Sequence, residues 1–402
     1  MSRFSDPLVL LAIFVGMTGC SLSHATSSGS RVVTVAQSGP ADVVGSDSAA
    51  LQKAADMLRT GDTLSIGAGT YAMDNSLFVP SGVTVRGEAG KTILRKGAGV
   101  ESALAEDGDY GDTFLRVAEP DKFRPGMGVS ITDDKLNSGW DISVSQVASV
   151  KPPFVIINPM TERDYSKESA HARIRNVFPI LCVKNAANVV LENLTVDGDR
   201  AENAYIDGCR GGAIYLYRVR NVEVRNCTAR NYNGDGISIQ ISDNVRVLNS
   251  ESYGHAGYGL HPGTGSVNTL VSRCRLHDNG DIGLFLCWRV RHGRFENNLI
   301  ENNGHYGISI GHKDTDNVFT GNTIARNGFS GVYFRKETPA NSGSRNVFRD
   351  NKVIDNGNDR EGYGFYIEPH AEDLTIEGNL IADTRADGRT QRQSIFKAPA
   401  VR

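Results

Sequence analysis

The stretch "YGISIGHKDTDNVFTGN", Tyr306–Asn322, decides how the chain is read. Gly307 opens a short run in which Ile308 and Ile310 alternate with Ser309, the pattern of a strand with one buried face. Asn317-Val318 starts a second run that ends at Asn322. Two strands and a polar corner leave no room for a helix. The same phrase returns along the chain in "GAIYLYRVRNVEV", "DGISIQISDNVRV", "YGLHPGTGS", "IGLFLCWRVRHGRF", "SGVYFRKE" and "YGFYIEPH". Its opening small residue falls at Ala213, Gly236, Gly259, Gly283, Gly307, Gly331 and Gly364, in steps of 23, 23, 24, 24, 24 and 33. A repeat of this length fixes the architecture before any other signal is weighed.

Two further columns run beside the first. One holds Asn226, Asn249, Asn298, Asn322, Asn351 and Asn379, with Cys274 in the gap; the other is an Asn-Val pair starting at Asn188, Asn221, Asn244, Asn317 and Asn346. Ile237, Leu260, Leu284, Ile308 and Val332 recur at the inward position. One such repeat cannot bury its apolar face alone, whereas stacked repeats build a continuous parallel-β core. Asn suits the corners because it tolerates left-handed backbone and its amide can bond the Asn above. A leucine-rich repeat would show a different Leu spacing, and a propeller blade is longer.

These columns resemble the right-handed parallel β-helix of the pectate-lyase-like superfamily, over roughly residues 34–386. The resemblance implies an all-β, single-stranded right-handed parallel β-helix, a solenoid with an N-terminal capping helix and a small inserted β subdomain. The segment "DSAALQKAADMLRTGDTLSIGAGTYAM" fits the cap: Leu51, Ala54, Ala55 and Leu58 make one apolar helical face, and Asp47 is placed to cap it. "SGVTVRGEAGKTIL" reads as an early rung. The expected divisions are 34–110 for cap and first rungs, 111–172 for the insertion, 173–388 for the main coil and 389–402 for a loose tail.

The formal net charge of -3 gives no reason to expect nucleic acid as a partner. Residues 1–20 read as a signal peptide: Leu8–Val15 is apolar but too short to span a bilayer. Met17-Thr18-Gly19-Cys20 resembles the bacterial lipoprotein box, which implies lipidation at Cys20, a linker over 21–33 and an exported, outer-membrane-anchored, periplasmic or cell-surface protein. The anchor is then its one membrane contact, and a monomer is expected. Cys182, Cys209, Cys227, Cys274 and Cys287 match no zinc spacing, and their odd number leaves at least one free thiol. Mostly buried thiols are expected, with a single disulfide left open.

Strand alternation places Tyr215, His261 and Tyr333 in one outward column, and Tyr217, Gln240, Gly263, Cys287, Gly311 and Arg335 in the next. Trp288, Arg289, His312, Lys313 and Glu337 follow just beyond. Rungs stack about 4.8 Å apart, so these side chains should form one continuous stripe. Aromatic rings offer flat surfaces to sugars, and cations pair with carboxylates. The stripe therefore reads as a groove for an anionic polysaccharide, with Tyr215, Tyr217, His261, Trp288, Arg289 and Tyr333 binding substrate.

Asp316-Asn317 repeats Asp243-Asn244 and belongs to the corner. His312, Lys313 and Asp314 have no such explanation, which makes them candidates for chemistry. An eliminating lyase needs a neutraliser for the uronate carboxylate, a base and an acid. Lys313 and Arg335, 22 residues apart, are similar in spacing to the Lys/Arg pair of β-helix lyases acting on alginate and dermatan-type glycans. That resemblance implies Lys313 as base and Arg335 as neutraliser, with His312 and Glu337 beside them and a Tyr or His as acid. Three alternatives stay open. A polygalacturonase-type hydrolase would draw paired carboxylates from Asp314, Glu337 and Glu368. A C5-epimerase would use the lyase's own groups, and a surface glycan-binding protein would use none. No cofactor is required by this reading; Ca2+ stays open, with Asp314 the one candidate ligand.

Overall fold

Within one repeat, Ile214–Tyr217, Arg220–Arg225 and Thr228–Arg230 are short strands, each paired in parallel with its counterpart one repeat on. A computed structural model describes residues 29–358, 361–385 and 393–399. The expected signal peptide and the expected lipidation site Cys20 lie outside these described residues. The repeats coil into three parallel sheets, here A (12 strands), B (10) and C (10), visited in the order C, A, B on each turn. The chain is an all-β, right-handed parallel β-helix.

The inward register is the expected one: Ile237 faces Leu260, then Leu284, Ile308 and Val332, all at most 1% exposed. Phe295, Phe319 and Phe348 stack inside the coil with centroids 4.7 and 4.3 Å apart. At the A–B corner, Asn298 Nδ2 donates to Asn322 Oδ1 (2.9 Å), Asn322 to Asn351 (2.9 Å) and Asn351 to Asn379 (2.8 Å). Each amide also bonds a backbone carbonyl, so the buried corner leaves no orphaned group on those rungs. A second ladder, Asn279–Asn303–Asn327–Asn356, lies at the B–C corner.

Two members of the expected Asn column are misplaced by one residue. Asn226 and Asn249 carry the left-handed corner itself (φ +52° and +48°), and the ladder positions on those rungs belong to Cys227 and Ser250. Cys227 N–H donates to Ser250 Oγ, and Cys274 N–H to Asn298 Oδ1. Asn serves both the left-handed turn and the ladder, so its identity alone does not separate adjacent positions.

The helix Ser48–Ala55 closes the first turn: Asp47 accepts from Ala50 N–H (2.9 Å), and Leu51, Ala54 and Ala55 are buried. Leu58 packs on the same core just past the helix end. The insertion is a six-stranded antiparallel sheet whose strands lie between Glu101 and Arg175, with its own core of Val129, Ile131, Val155 and Ile174. The expected loose tail contains a strand: Gln393–Lys397 pairs with Tyr363–Ile367, and Phe396 stacks on Tyr363 at 4.8 Å. One aromatic rung was hidden by basic neighbours. The five cysteines of the coil are unpaired. Cys227 and Cys274 share a corner column two rungs apart, about 10 Å, which is too far for a disulfide.

Candidate functional site

The pleat of sheet C turns one residue in two away from the core, so the outward column reads Tyr217, Gln240, Gly263, Cys287, Gly311, Arg335. Gly263, Cys287 and Gly311 make a low stretch of this column, the notch, over whose two ends Gln240 and Arg335 fold across Gly263 and Gly311. Arg335 bends back over Gly311, where an added Cβ would meet Arg335 Nε at 2.5 Å. Its guanidinium donates to Ser309 Oγ (2.9 Å), Leu286 O (2.8 Å) and Asp314 Oδ2 (3.1 Å), and lies 4.7 Å over the Phe285 ring. Three acceptors and a ring fix this cation at the notch while its side chain stays 20% exposed.

Arg335 is thus ion-paired with Asp314. Asp314 is sealed and also accepts from the Val290 and Gly311 N–H groups. Burial, opposed by Arg335, pushes its carboxyl up to about 6. Both of its oxygens are taken, which removes the sequence argument for Asp314 as a calcium ligand. Among the described residues no group of three or more His, Cys, Asp or Glu is arranged to hold a metal ion. Lys313 occupies the left-handed C–A corner (φ +60°), exposed, with its N–H on Asn341 O. Asp316 is a corner residue as expected, and its two hydrogen bonds from Arg345 pull its carboxyl down to about 2.

Beside the notch, His312 stacks on the half-exposed Trp288 at 3.9 Å. Glu337 receives the His312 N–H (3.1 Å) and stands 3.4 Å from Nδ1. Arg289 is exposed and donates its N–H to His312 O. Trp288, Arg289, His312 and Glu337 therefore converge on one corner. Tyr333 is half-buried and stacks on Tyr306 at 4.3 Å. Five rungs away, about 24 Å, Tyr217 packs on Trp140 of the insertion and helps line a cavity of about 210 Å³ with Lys184, Glu162 and Arg210.

The stripe is not continuous. Tyr215 and His261 point away from the core but are only 5% and 2% exposed. The loop Asn203–Gly211 covers this face: Tyr215 OH donates to Cys209 O (2.6 Å) and Ser238 Oγ to Gly208 O (2.6 Å). His261 Nδ1 lies 2.7 Å from the buried Asp235. Sequence reasoning placed Gln240 in the outward column without a role, and gave none to Asp235 or Phe285. The signal that could have found them is the run Gly263, Cys287, Gly311 in an otherwise large-residue column.

The model of the family described as right handed beta helix region matches residues 180–341 and 312–390, together more than half of the chain. No curated protein matches the sequence. Among solved structures, the A-module of the mannuronan C-5 epimerase AlgE6 of Azotobacter vinelandii is similar with a TM-score of 0.56 at 15% identity, over 84% of this chain and 72% of that one. The AlgE4 A-module from the same organism gives 0.51 at 14%, over 88% and 95%. The polygalacturonase of Erwinia carotovora ssp. carotovora gives 0.52 at 11%, over 94% and 100%. At such identities the likeness is one of fold. With the family match and the coil geometry together, the chain belongs to the right-handed β-helix family.

Proposed function

We propose that the protein binds an acidic, uronic-acid-containing polysaccharide along sheet C and cleaves it by β-elimination at the notch. The observation that carries this reading is the fixed, partly exposed Arg335 guanidinium beside the Trp288–His312 ledge. A uronate carboxylate on Arg335 is neutralised, which makes the neighbouring C5 proton easier to remove. Trp288 offers the sugar ring an apolar face. Lys313 takes the C5 proton, the C–H electron pair forms the C4=C5 double bond, and the C4–O bond breaks with its electron pair on the leaving oxygen, which takes a proton from His312 acting as the acid. The folds of two mannuronan C-5 epimerases and a polygalacturonase, named for uronate chemistry, support the substrate class. C5-epimerisation is the second reading, favoured by a second proton carrier at the same corner, His312 held by Glu337. Hydrolysis by paired carboxylates has less support, because Asp314 is spoken for by Arg335 and two N–H groups.

Lys313→Ala should lower turnover by about 10²–10⁴ and leave polymer affinity within a few-fold, as loss of a general base does. Asp316→Ala is the control. Its exposed pair with Arg345 is worth about 0–1 kcal/mol, so turnover should be unchanged. That small stabilisation is present above the ordinary Asp value of 3.8 and lost as pH falls through about 2. Near-normal turnover in Lys313→Ala with an inactive Glu337→Ala would replace elimination by a carboxylate mechanism. Export and lipid anchoring at Cys20 belong to the same proposal: the wild type should enter the detergent phase and Cys20→Ala should not. Equal partitioning of the two forms would remove the anchor.

A further inference from the structure

On sheets A and B, Arg225, Arg246 and Arg275 are spent on Glu223 and Glu301, at 2.9, 3.0 and 2.9 Å. Along the C–A corner the cations are uncommitted. Lys184, Arg218, Arg289 and Lys313 are exposed, and among the described residues no carboxylate lies within ion-pair reach of any of them. The left-handed residues that turn the chain from sheet C to sheet A are Arg218, Ile241, Thr264, Trp288 with Arg289, and Lys313, at φ +43° to +69°. They make one column up the corner. Its lower part is an open trough of about 560 Å³ bounded by Arg218, Ile241 and Gly265. Arg289 Nε stands 4.0 Å from where a Cβ on Gly265 would be, so the trough runs on to the Trp288–His312 ledge.

The far end of the trough is built as carefully as the notch. The Tyr217 ring is flanked by the Lys184 ammonium at 5.7 Å, the Arg218 guanidinium at 5.1 Å and the Trp140 ring of the insertion at 5.9 Å. Beside it opens the cavity of about 210 Å³ under the insertion, room for one sugar residue. Glu162 in the cavity wall is spent on Arg210. Arg210 also donates to Trp140 O (2.9 Å) and lies 5.1 Å over the Trp140 ring, which fixes that ring in place. With Glu162 neutralised, the uncommitted charge at this end is positive, from Lys184 and Arg218.

Aromatic rings beside two uncommitted cations suit a sugar that carries a carboxylate: the rings meet its apolar face and the cations its charge. A pyranose unit in a linear chain is about as long as one rung is high. A chain with one carboxylate on Arg335 therefore brings a residue about five units further on to Tyr217, five rungs away. We propose that Lys184, Arg218, Tyr217 and Trp140 form a second uronate subsite, and that one polymer chain lying along the C–A corner is held at both ends. This rests on the polysaccharide reading above and deepens it: the preferred substrate is a linear polyuronate long enough to span the corner. The insertion joins the polymer site through Trp140. Two linked contacts on one chain give an affinity that neither end has alone.

The test compares trimers and octamers of alginate and of pectate binding to the full chain by titration calorimetry. A trimer on Arg335 is too short to reach Tyr217, whereas an octamer spans both. Octamers of the favoured polymer should bind the wild type about 10²-fold more tightly than trimers. In Lys184→Gln/Arg218→Gln the ratio should shrink to a few-fold, the gain that extra binding registers alone give. Both side chains are exposed, and the melting temperature should hold. Lys352→Gln removes an exposed cation of sheet B and should keep the full ratio. The chain's two tryptophans mark the two ends, so in Trp288→Phe octamer binding should shift the emission of Trp140. A ratio of only a few-fold in the wild type, a full ratio in the double variant, an equal loss in Lys352→Gln or a silent Trp140 overturns the second subsite and leaves the notch standing. Failure of all oligomers to bind overturns the polysaccharide reading itself, and the subsite with it.

Discussion

Arg335→Met should lower kcat/KM on the cleaved polymer by about 10²–10³, the usual cost of removing one preorganised charge-stabilising donor. Affinity should fall as well, because in the proposed mechanism the substrate carboxylate sits on the guanidinium before and during the reaction. The difficulty is that Arg335 also neutralises a sealed Asp314. Removing one partner of a buried pair costs about 3–5 kcal/mol, and the 20% exposure of Arg335 puts this case toward the lower end. The double variant Arg335→Met/Asp314→Asn removes the stranded charge. It should regain the melting temperature and none of the turnover; regained turnover would make Arg335 a structural residue. Asp314 adds a pH signature. Its folded value of about 6 lies above the ordinary 3.8, so its stabilising contribution is complete below about 4 and lost as pH rises through about 6. Asp314→Asn should flatten the stability profile across that window.

Asn322→Leu should destabilise the coil strongly. Asn322 Oδ1 accepts from both the N–H and Nδ2 of Asn298, and its Nδ2 serves Phe295 O and Asn351 Oδ1. Leucine strands at least the Asn298 N–H and the Phe295 carbonyl in a buried corner, at about 1–3 kcal/mol each. Chemical denaturation should show a loss of about 2–6 kcal/mol. The contrast with Asn226 separates ladder from turn. Asn226 holds a left-handed corner, where glycine is at home, so Asn226→Gly should change stability by only a few tenths of a kcal/mol. Equal losses in Asn322→Leu and Asn226→Gly would contradict the assignment of the two roles.

The coil was legible because its residues obey one rule per column: Ile237, Leu260 and Leu284 must be apolar, and Asn298 and Asn322 must carry an amide. Where two rules admit the same residue, legibility stops, as at Asn226 and Asn249. The site was legible only in part. Alternation placed Trp288, His312 and Arg335 on the outer side, but no periodicity announces that Asn203–Gly211 folds over Tyr215 and His261. Nor does strand spacing say that Arg335 turns back across Gly311 to Asp314. Such contacts depend on loop paths and on missing side chains, and those are set by three-dimensional packing.

The most direct test of the account is a dual assay of the purified chain on pectate, alginate, glycosaminoglycans and ulvan, reading unsaturated-uronate absorbance beside new reducing ends. Both signals should rise together on at least one uronan, and Arg335→Met should suppress both. Reducing ends without the absorbance would contradict elimination in favour of hydrolysis. C5–H exchange with solvent without chain cleavage would point to epimerisation, and neither signal on any polymer would contradict the assignment of the notch as a catalytic site.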